Sequence, residues 1–412
     1  MIMKKLFVCS CFFVLAACLF TACGSDDDEN NGDFGEGDSY VVINDDGTTS
    51  NGSHYIPIDD DNFYLDYVKY TVEGTHIIVS GYNGAGLTGN VIIVPAIKYK
   101  NHLYNVLQIG EDAFKKCSNL ASVTIPNSVR SIGNHAFEGC KDLLSVTIGN
   151  GVTSIGADAF SCCYNLISIV IPNGVTSIEF RSFQGCSKLT SITIPNTVTK
   201  IEAGAFKDCI SLTSITIPDN VKTLGSSVFS GCSALTSITI PNSTTSIGMS
   251  AFKNCTSLTS VIITNILKRI ADETFYGCSK LTSITIPNTV TEIGNNVFSG
   301  CNSLTSVVIP NSVTSIGKYS FRDCNRLVSI AIGNGIISFG DGVFSECYGI
   351  ADFYCYAEKV PSTTSDGIFE YRAISKATLH VPAVSIPLYQ GEKEWYYFKN
   401  IVALIDNDPK PE

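Results

Sequence analysis

From Phe114 to Phe344 the same residue types return every 23 positions, and this period constrains the fold more than any other feature of the 412-residue chain. Phenylalanine stands at 114, 137, 160, 183, 206, 229, 252, 275, 298, 321 and 344. A cysteine follows three residues later each time, from Cys117 to Cys347. A leucine follows three further on, from Leu120 to Leu327, with Ile350 in the last place. One period reads Leu189-Thr-Ser-Ile192-Thr-Ile194-Pro195-Asn196-Thr-Val198-Thr-Lys-Ile201-Glu-Ala-Gly-Ala205-Phe206-Lys-Asp-Cys209. A unit this short cannot bury its own apolar face. It does so by stacking on copies of itself, which makes the chain a solenoid.

The chemistry of each segment predicts its shape. Ser-Ile-Thr-Ile alternates polar with β-branched apolar residues, the pattern of a short half-buried strand. Pro-Asn ends it, because proline cannot donate to a ladder and Asn favours turns. Val198 and Ile201 pack inward on the far side, and the spacing of Ala205, Phe206 and Cys209 predicts one helical or 3₁₀ turn. The expected fold is an α/β solenoid: a right-handed coil with one parallel β-sheet and short helical or 3₁₀ turns on the other side. Ten steps from Phe114 to Phe344, at ~4.8 Å per strand, give a length of roughly 50 Å.

Both ends read as caps, which a solenoid needs over its terminal apolar layers. Tyr67–Val72 and His76–Ser80 flank Glu73-Gly74 as a β-hairpin, and Val91 to Val94 imitates the repeat strand. Downstream, Ile350, Phe353 and Cys355 keep the strand phase, and Leu379-His-Val381-Pro382 reads as a degenerate turn. Tyr389 to Leu404 reads as a short amphipathic helix sealing the end, with Trp395-Tyr396-Tyr397-Phe398 as capping core rather than a sugar platform.

The domain plan that follows is a signal peptide over 1–22, an acidic tether over 23–62, an N-terminal β cap over 63–111, repeats over 112–357, and a degenerate repeat with a C-terminal cap over 358–412. Lys4 and Lys5 precede an apolar run, Leu6 to Phe20, that is shorter than a spanning helix needs and has the layout of a secretory signal. Leu19-Phe20-Thr21-Ala22-Cys23 resembles a bacterial lipobox, in which the cysteine thiol takes a diacylglycerol before cleavage on its N-terminal side. Cys23 is therefore the expected lipid attachment site. The polar run Gly24 to Asn31 reads as a flexible tether, and its acidic part also resembles the surface-export signal of lipoproteins in some Gram-negative bacteria.

The unit Leu-x-x-Ile-x-Ile-Pro-Asn-x-Val-x-x-Ile-Gly-x-x-Ala-Phe-x-x-Cys closely resembles the BspA-like class of leucine-rich repeats. The resemblance is strict over Phe114 to Ala357 and looser over residues 63–405. It implies an extracellular or cell-surface protein that binds other molecules, with adhesion to host or matrix proteins in some members. It implies no enzyme activity.

Other chemistry finds little material. A net charge of −11 disfavours a nucleic-acid backbone as partner. Five histidines, at 54, 76, 102, 135 and 380, share no repeat position. No Ser-His-Asp constellation is indicated, and an open sheet offers no cleft for one. Asp59-Asp60-Asp61 lacks the alternation and the glycine of an EF-hand loop. Gly84-Ala-Gly86-Leu-Thr-Gly89 matches a dinucleotide fingerprint in letters, but a β-branched strand follows where a helix N-terminus is required. Of 17 cysteines, three fall in the signal and one at the lipobox, and the remaining 13 cannot pair completely. Stacked side chains pointing in parallel also suit a disulfide poorly, so the ladder reads as buried free thiols. A linear row of sulfurs likewise does not build a tetrahedral zinc site. No cofactor, metal or catalytic residue is expected.

The candidate binding face is the outward side of the sheet. There a serine column runs unbroken from Ser122 to Ser329, beside a threonine column that breaks at Val170, Ile262, Val308 and Ala331. These four are the candidate contacts for an extracellular protein or glycan, on a surface-exposed outer-membrane lipoprotein held by its lipid anchor. The alternatives are a glycan-binding accessory lipoprotein of an outer-membrane uptake system, or a structural spacer. The aromatics of the repeats are almost all the phenylalanines assigned to the interior, which favours a protein partner.

Overall fold

Alternation of Ser and Thr with Ile and Val makes short strands, and the 23-residue period brings them into parallel register. The computed structural model describes residues 40–84, 87–263, 266–363 and 367–411, all within one unit, Ser39–Glu412. Leu120–Ile125, Ser145–Ile148, Ser168–Val170 and Ser191–Thr193 pair in parallel, with Ser122, Ser145, Ser168 and Ser191 side by side. This ladder lapses over residues 214–217 and 283–286. It resumes in Ser237–Ile240 with Ser260–Ile263, and again from Ser306–Ile309 through Ser329–Ile332, Asp352–Cys355 and Thr378–Val381 to Asn400–Ala403.

A second parallel ladder, beyond the one sheet expected, runs through two-residue strands on the far side. Ser131–Ile132 pairs with Ser154–Ile155, Ser177–Ile178 leads through Lys200–Ile201 to Ser246–Ile247, and Arg269–Ile270 leads to Ser338–Phe339. The inward apolar residue of each of these strands, most often isoleucine, is buried as its spacing predicts. Its backbone, which shows no alternating run long enough to announce a strand, bonds from coil to coil.

The phenylalanine segment departs from the helical or 3₁₀ turn that its spacing predicts. Its N–H groups alternate in direction. Those of Asp112, Phe114 and Lys116 donate to the carbonyls of Asn134, Ala136 and Glu138 in the next coil, while those of Ala113, Lys115 and Cys117 bond within their own coil. A helical turn would use every donor locally; this pattern of overlapping turns sends half of them along the stack. It requires left-handed backbone two residues before and two after each phenylalanine, as at Asp112 and Lys116, or Arg181 and Gly185.

Inside, Phe, Leu, Ile, Val and Cys form continuous buried columns. Phenylalanine rings from Phe114 to Phe344 stack at 5.1–5.6 Å between centroids, and Phe369 extends the row at 5.5 Å.

At the N-terminal end, Val68–Glu73 and His76–Tyr82 form the expected hairpin. The tether is shorter than the expected 23–62: Tyr55–Pro57 pairs with Asn62–Leu65, and Val41–Val42 pairs with Ala96–Tyr99. Apolar Val41, Ile43 and Phe63 are buried there, so this stretch belongs to the cap. Gly89 opens the strand Gly89–Ile92, not a helix; Ala85 and Gly86 of the glycine-rich loop lie outside the described residues.

The C-terminal helix is also shorter than expected, Ile386–Gly391. Asn400–Ala403, where the helix is expected to continue, is a strand because Ile401 and Val402 are β-branched and find a free edge at Thr378–Val381. Trp395 and Phe398 are buried capping core, the indole packing edge-on to Phe369 and Tyr389.

Candidate functional site

Pleating points alternate residues of each strand outward, so the stacked coils present columns of like residues. The serines from Ser145 to Ser306 are exposed as expected. In the neighbouring column Val170 is 63% exposed, Ile262 58% and Val308 41%, large apolar side chains set in a field of hydroxyls. Sequence reasoning misses a fourth. Ile92 pairs with Thr124 and so heads the same column, and at 74% it is the most exposed of them. Its signal was available, because the strand of Ile92 imitates the repeat.

Ala331 is not part of the open face. It is 1% exposed, beside Tyr354, His380 and Val402 in register. The segment after Asn400–Ala403 turns back over this end of the sheet. Ile405 N–H donates to Asp408 Oδ2 at 2.7 Å, the Asp408 carboxylate lies 4.0 Å from His380 Nδ1, and the carbonyl of Pro411 accepts from Asn311 Nδ2 at 3.0 Å. Both Asp408 and Pro411 are buried. The His380 ring stacks on Tyr354 at 4.3 Å and its Nε2 meets Asp352 at 3.1 Å.

Of the other histidines, His135 pairs with Glu138 at 2.9 Å on the turn side, and His102 lies in the cap strand His102–Ile109. Among the described residues no group of three or more His, Cys, Asp or Glu is arranged to hold a metal, and no helix is long and apolar enough to cross a membrane. Cys23 lies outside the described residues. The described cysteines are free thiols, all but Cys162 buried. Burial pushes the column thiols from Cys117 to Cys324 up, to about 12 at Cys255 and Cys301, so these stay protonated and inert as nucleophiles.

A family model described as the BspA type leucine-rich repeat region matches residues 107–236 and 226–351, more than half of the chain. The chain belongs to the BspA-type leucine-rich repeat family. Among solved structures, this BspA-type chain is similar to a leucine-rich repeat protein of Bacteroides ovatus, 27% identical over 75% of this chain and 99% of that one, with a TM-score of 0.46. It is also similar to the pneumococcal vaccine antigen PcpA, 19% identical over 85% of this chain and 98% of that one, with a TM-score of 0.52, a likeness of fold alone. No curated protein matches it. BspA-type solenoids are interaction scaffolds, in which each coil adds one row to an extended surface.

Proposed function

We propose that the protein is a surface lipoprotein, anchored through Cys23 in the outer membrane, that adheres to a host or matrix protein through the outward face of its sheet and catalyses no reaction. The observation that carries this reading is the set of isolated, exposed apolar residues, Val170, Ile262 and Val308, on strands that otherwise offer hydroxyls. Uniform hydroxyls discriminate poorly between partners, whereas apolar points spaced along a rigid face define a pattern. The leader, the lipobox-like Leu19 to Cys23 and the acidic run after it supply the address.

The experiment replaces Val170, Ile262 and Val308 together by Thr, restoring the column, and measures binding of the full chain to immobilised matrix proteins and a glycan array. Unchanged melting with at least roughly tenfold weaker protein binding supports the face, about 1.4 kcal/mol shared among three contacts. Unchanged binding removes the sheet from consideration. In the same strain background, Cys23→Ala should abolish incorporation of labelled palmitate and release the chain from the membrane fraction; label still entering the variant refutes the anchor.

A further inference from the structure

The period is broken in the same way twice. Residues 143–152 read Leu-Leu-Ser-Val-Thr-Ile-Gly-Asn-Gly-Val, and residues 327–336 read Leu-Val-Ser-Ile-Ala-Ile-Gly-Asn-Gly-Ile, eight periods further on. In both, Gly-Asn-Gly replaces the Pro-Asn turn and an apolar residue replaces the usual Thr after the leucine. The glycines let these coils press onto the preceding one. A Cβ on Gly151 would fall on the carbonyl oxygen of Asn127, and one on Gly335 on that of Asn311.

The two asparagines beneath them make the same bond. Asn127 Oδ1 accepts the Asn150 N–H at 2.9 Å, and Asn311 Oδ1 accepts the Asn334 N–H at 3.0 Å. With its oxygen held by the stack, each carboxamide has its NH₂ left to donate elsewhere. At Asn311 the acceptor is the main-chain carbonyl of Pro411, in a segment of this chain that returns over the sheet. The return is geometrically direct: four strand spacings amount to ~19 Å, and the seven residues from Leu404 to Pro411 reach at most ~24 Å. At Asn127 no described residue accepts from Nδ2. Thr147, the counterpart of buried Ala331, is exposed, and Val170, the counterpart of half-buried Tyr354, is 63% exposed in the next coil.

We infer that the Asn127 position is a docking site for an extended, proline-bearing peptide segment of a partner protein. The peptide gives a main-chain carbonyl to Asn127 Nδ2 and lays an apolar side chain on Val170. The segment Ile405 to Pro411 is the pattern for it, already seated at the equivalent place eight coils away. One difference sets the preference. Asp408 faces His380 at the occupied site, whereas the strand position matching His380 is Thr193, so the open site has no counterpart for an acidic residue and favours an apolar one. The inference names the partner chemistry of the face proposed above and rests on that reading.

The test titrates a fluorescein-labelled peptide of the sequence Ile405 to Pro411, and a second with Asp408 replaced by Leu, into the full chain by fluorescence anisotropy. The full chain should bind one equivalent, the Leu peptide more tightly, and a chain ending at Leu404 should bind two. Asn127→Asp keeps the acceptor for Asn150 and removes the donor; it should weaken binding by roughly tenfold with unchanged melting, and Val170→Lys should do the same. No saturable binding up to roughly millimolar peptide, or binding that neither variant moves, overturns the inference. If the peptides fail while the matrix protein still binds and is lost on restoring the threonine column, the peptide site falls and the adhesive face stands.

Discussion

A buried carbonyl oxygen with two lone pairs explains why the position three residues after each phenylalanine is cysteine. The Phe114 carbonyl accepts the N–H of Cys117 in its own coil at 3.0 Å and the thiol of Cys140 in the next coil at 3.0 Å. The same thiol-to-carbonyl contact recurs at every coil through Cys347, at 2.9–3.4 Å. Alanine would fill less space and donate nothing, and serine would bring a costlier hydroxyl into an apolar column. The free thiols were legible from parity and from the parallel side chains. The donation was not, because it depends on the distance between coils. In the native chain a thiol reagent should therefore label Cys162 alone among residues 40–411, and all 13 cysteines of that stretch after denaturation. For Cys255 the thiol pKa rises from 9.0 to about 12 on folding. The folded state thus holds the proton more tightly, and its contribution to stability is complete below pH 9 and is lost as pH climbs toward 12. Urea midpoints of Cys255→Ala should be lower than those of the parent at pH 8, by about 1–2 kcal/mol, and the gap should narrow above pH 9. A gap that stays constant would show that the thiol is filling space only.

The elements divide into those whose pattern lies within the segment and those fixed by the neighbouring coil. Ser-Ile-Thr-Ile carries its own alternation, so the main ladder was readable, as was the hairpin around Glu73-Gly74. Two-residue strands such as Lys200–Ile201 carry no pattern of their own and exist because identical backbone lies beside them. The left-handed positions flanking each phenylalanine were illegible for the same reason. Arg181 and Tyr319 adopt them at φ 51° and 55°, although neither residue type prefers that region. The alternating bonds to the next coil hold them there. A Cβ added to Gly300, at φ 75°, would meet no atom closer than 3.5 Å, so Gly300→Ala should cost only the backbone term, about 1–2 kcal/mol. Gly151→Ala must in addition push its coil off Asn127, and should cost clearly more. Equal losses in urea unfolding would mean that the close approach of the coils contributes nothing to stability.

At the scale of the molecule, each repeat coil packs on its two neighbours and the C-terminal return reaches back only as far as the coil of Asn311, so stability is close to a sum of coil terms and interfaces and its loss should spread from wherever the stack is opened. That organisation, the two caps and the outward hydroxyl columns were readable from the period. The return of residues 405–411 over the sheet was not, because nothing in Asp-Asn-Asp-Pro-Lys-Pro distinguishes a seated segment from a solvated one; its anchors, Asn311 and His380, are distant in sequence. The burial of Ala331 was illegible for that reason. The C-terminal cap offers the sharpest test of the additive picture. Trp395 is buried against Phe339, Phe353 and Phe369, so Trp395→Ala removes the plug of the last coils and should cost about 3–5 kcal/mol locally. In a globular core that loss would lower protection against hydrogen exchange everywhere. In this stack it should fall on the coils around Phe344 and Phe321 and fade toward the N-terminal end, leaving the amides around Phe137 as protected as in the parent. Uniform loss of protection from Phe114 to Phe344 would instead show that the solenoid unfolds as one cooperative unit, with coil interfaces too strong for its ends to open alone.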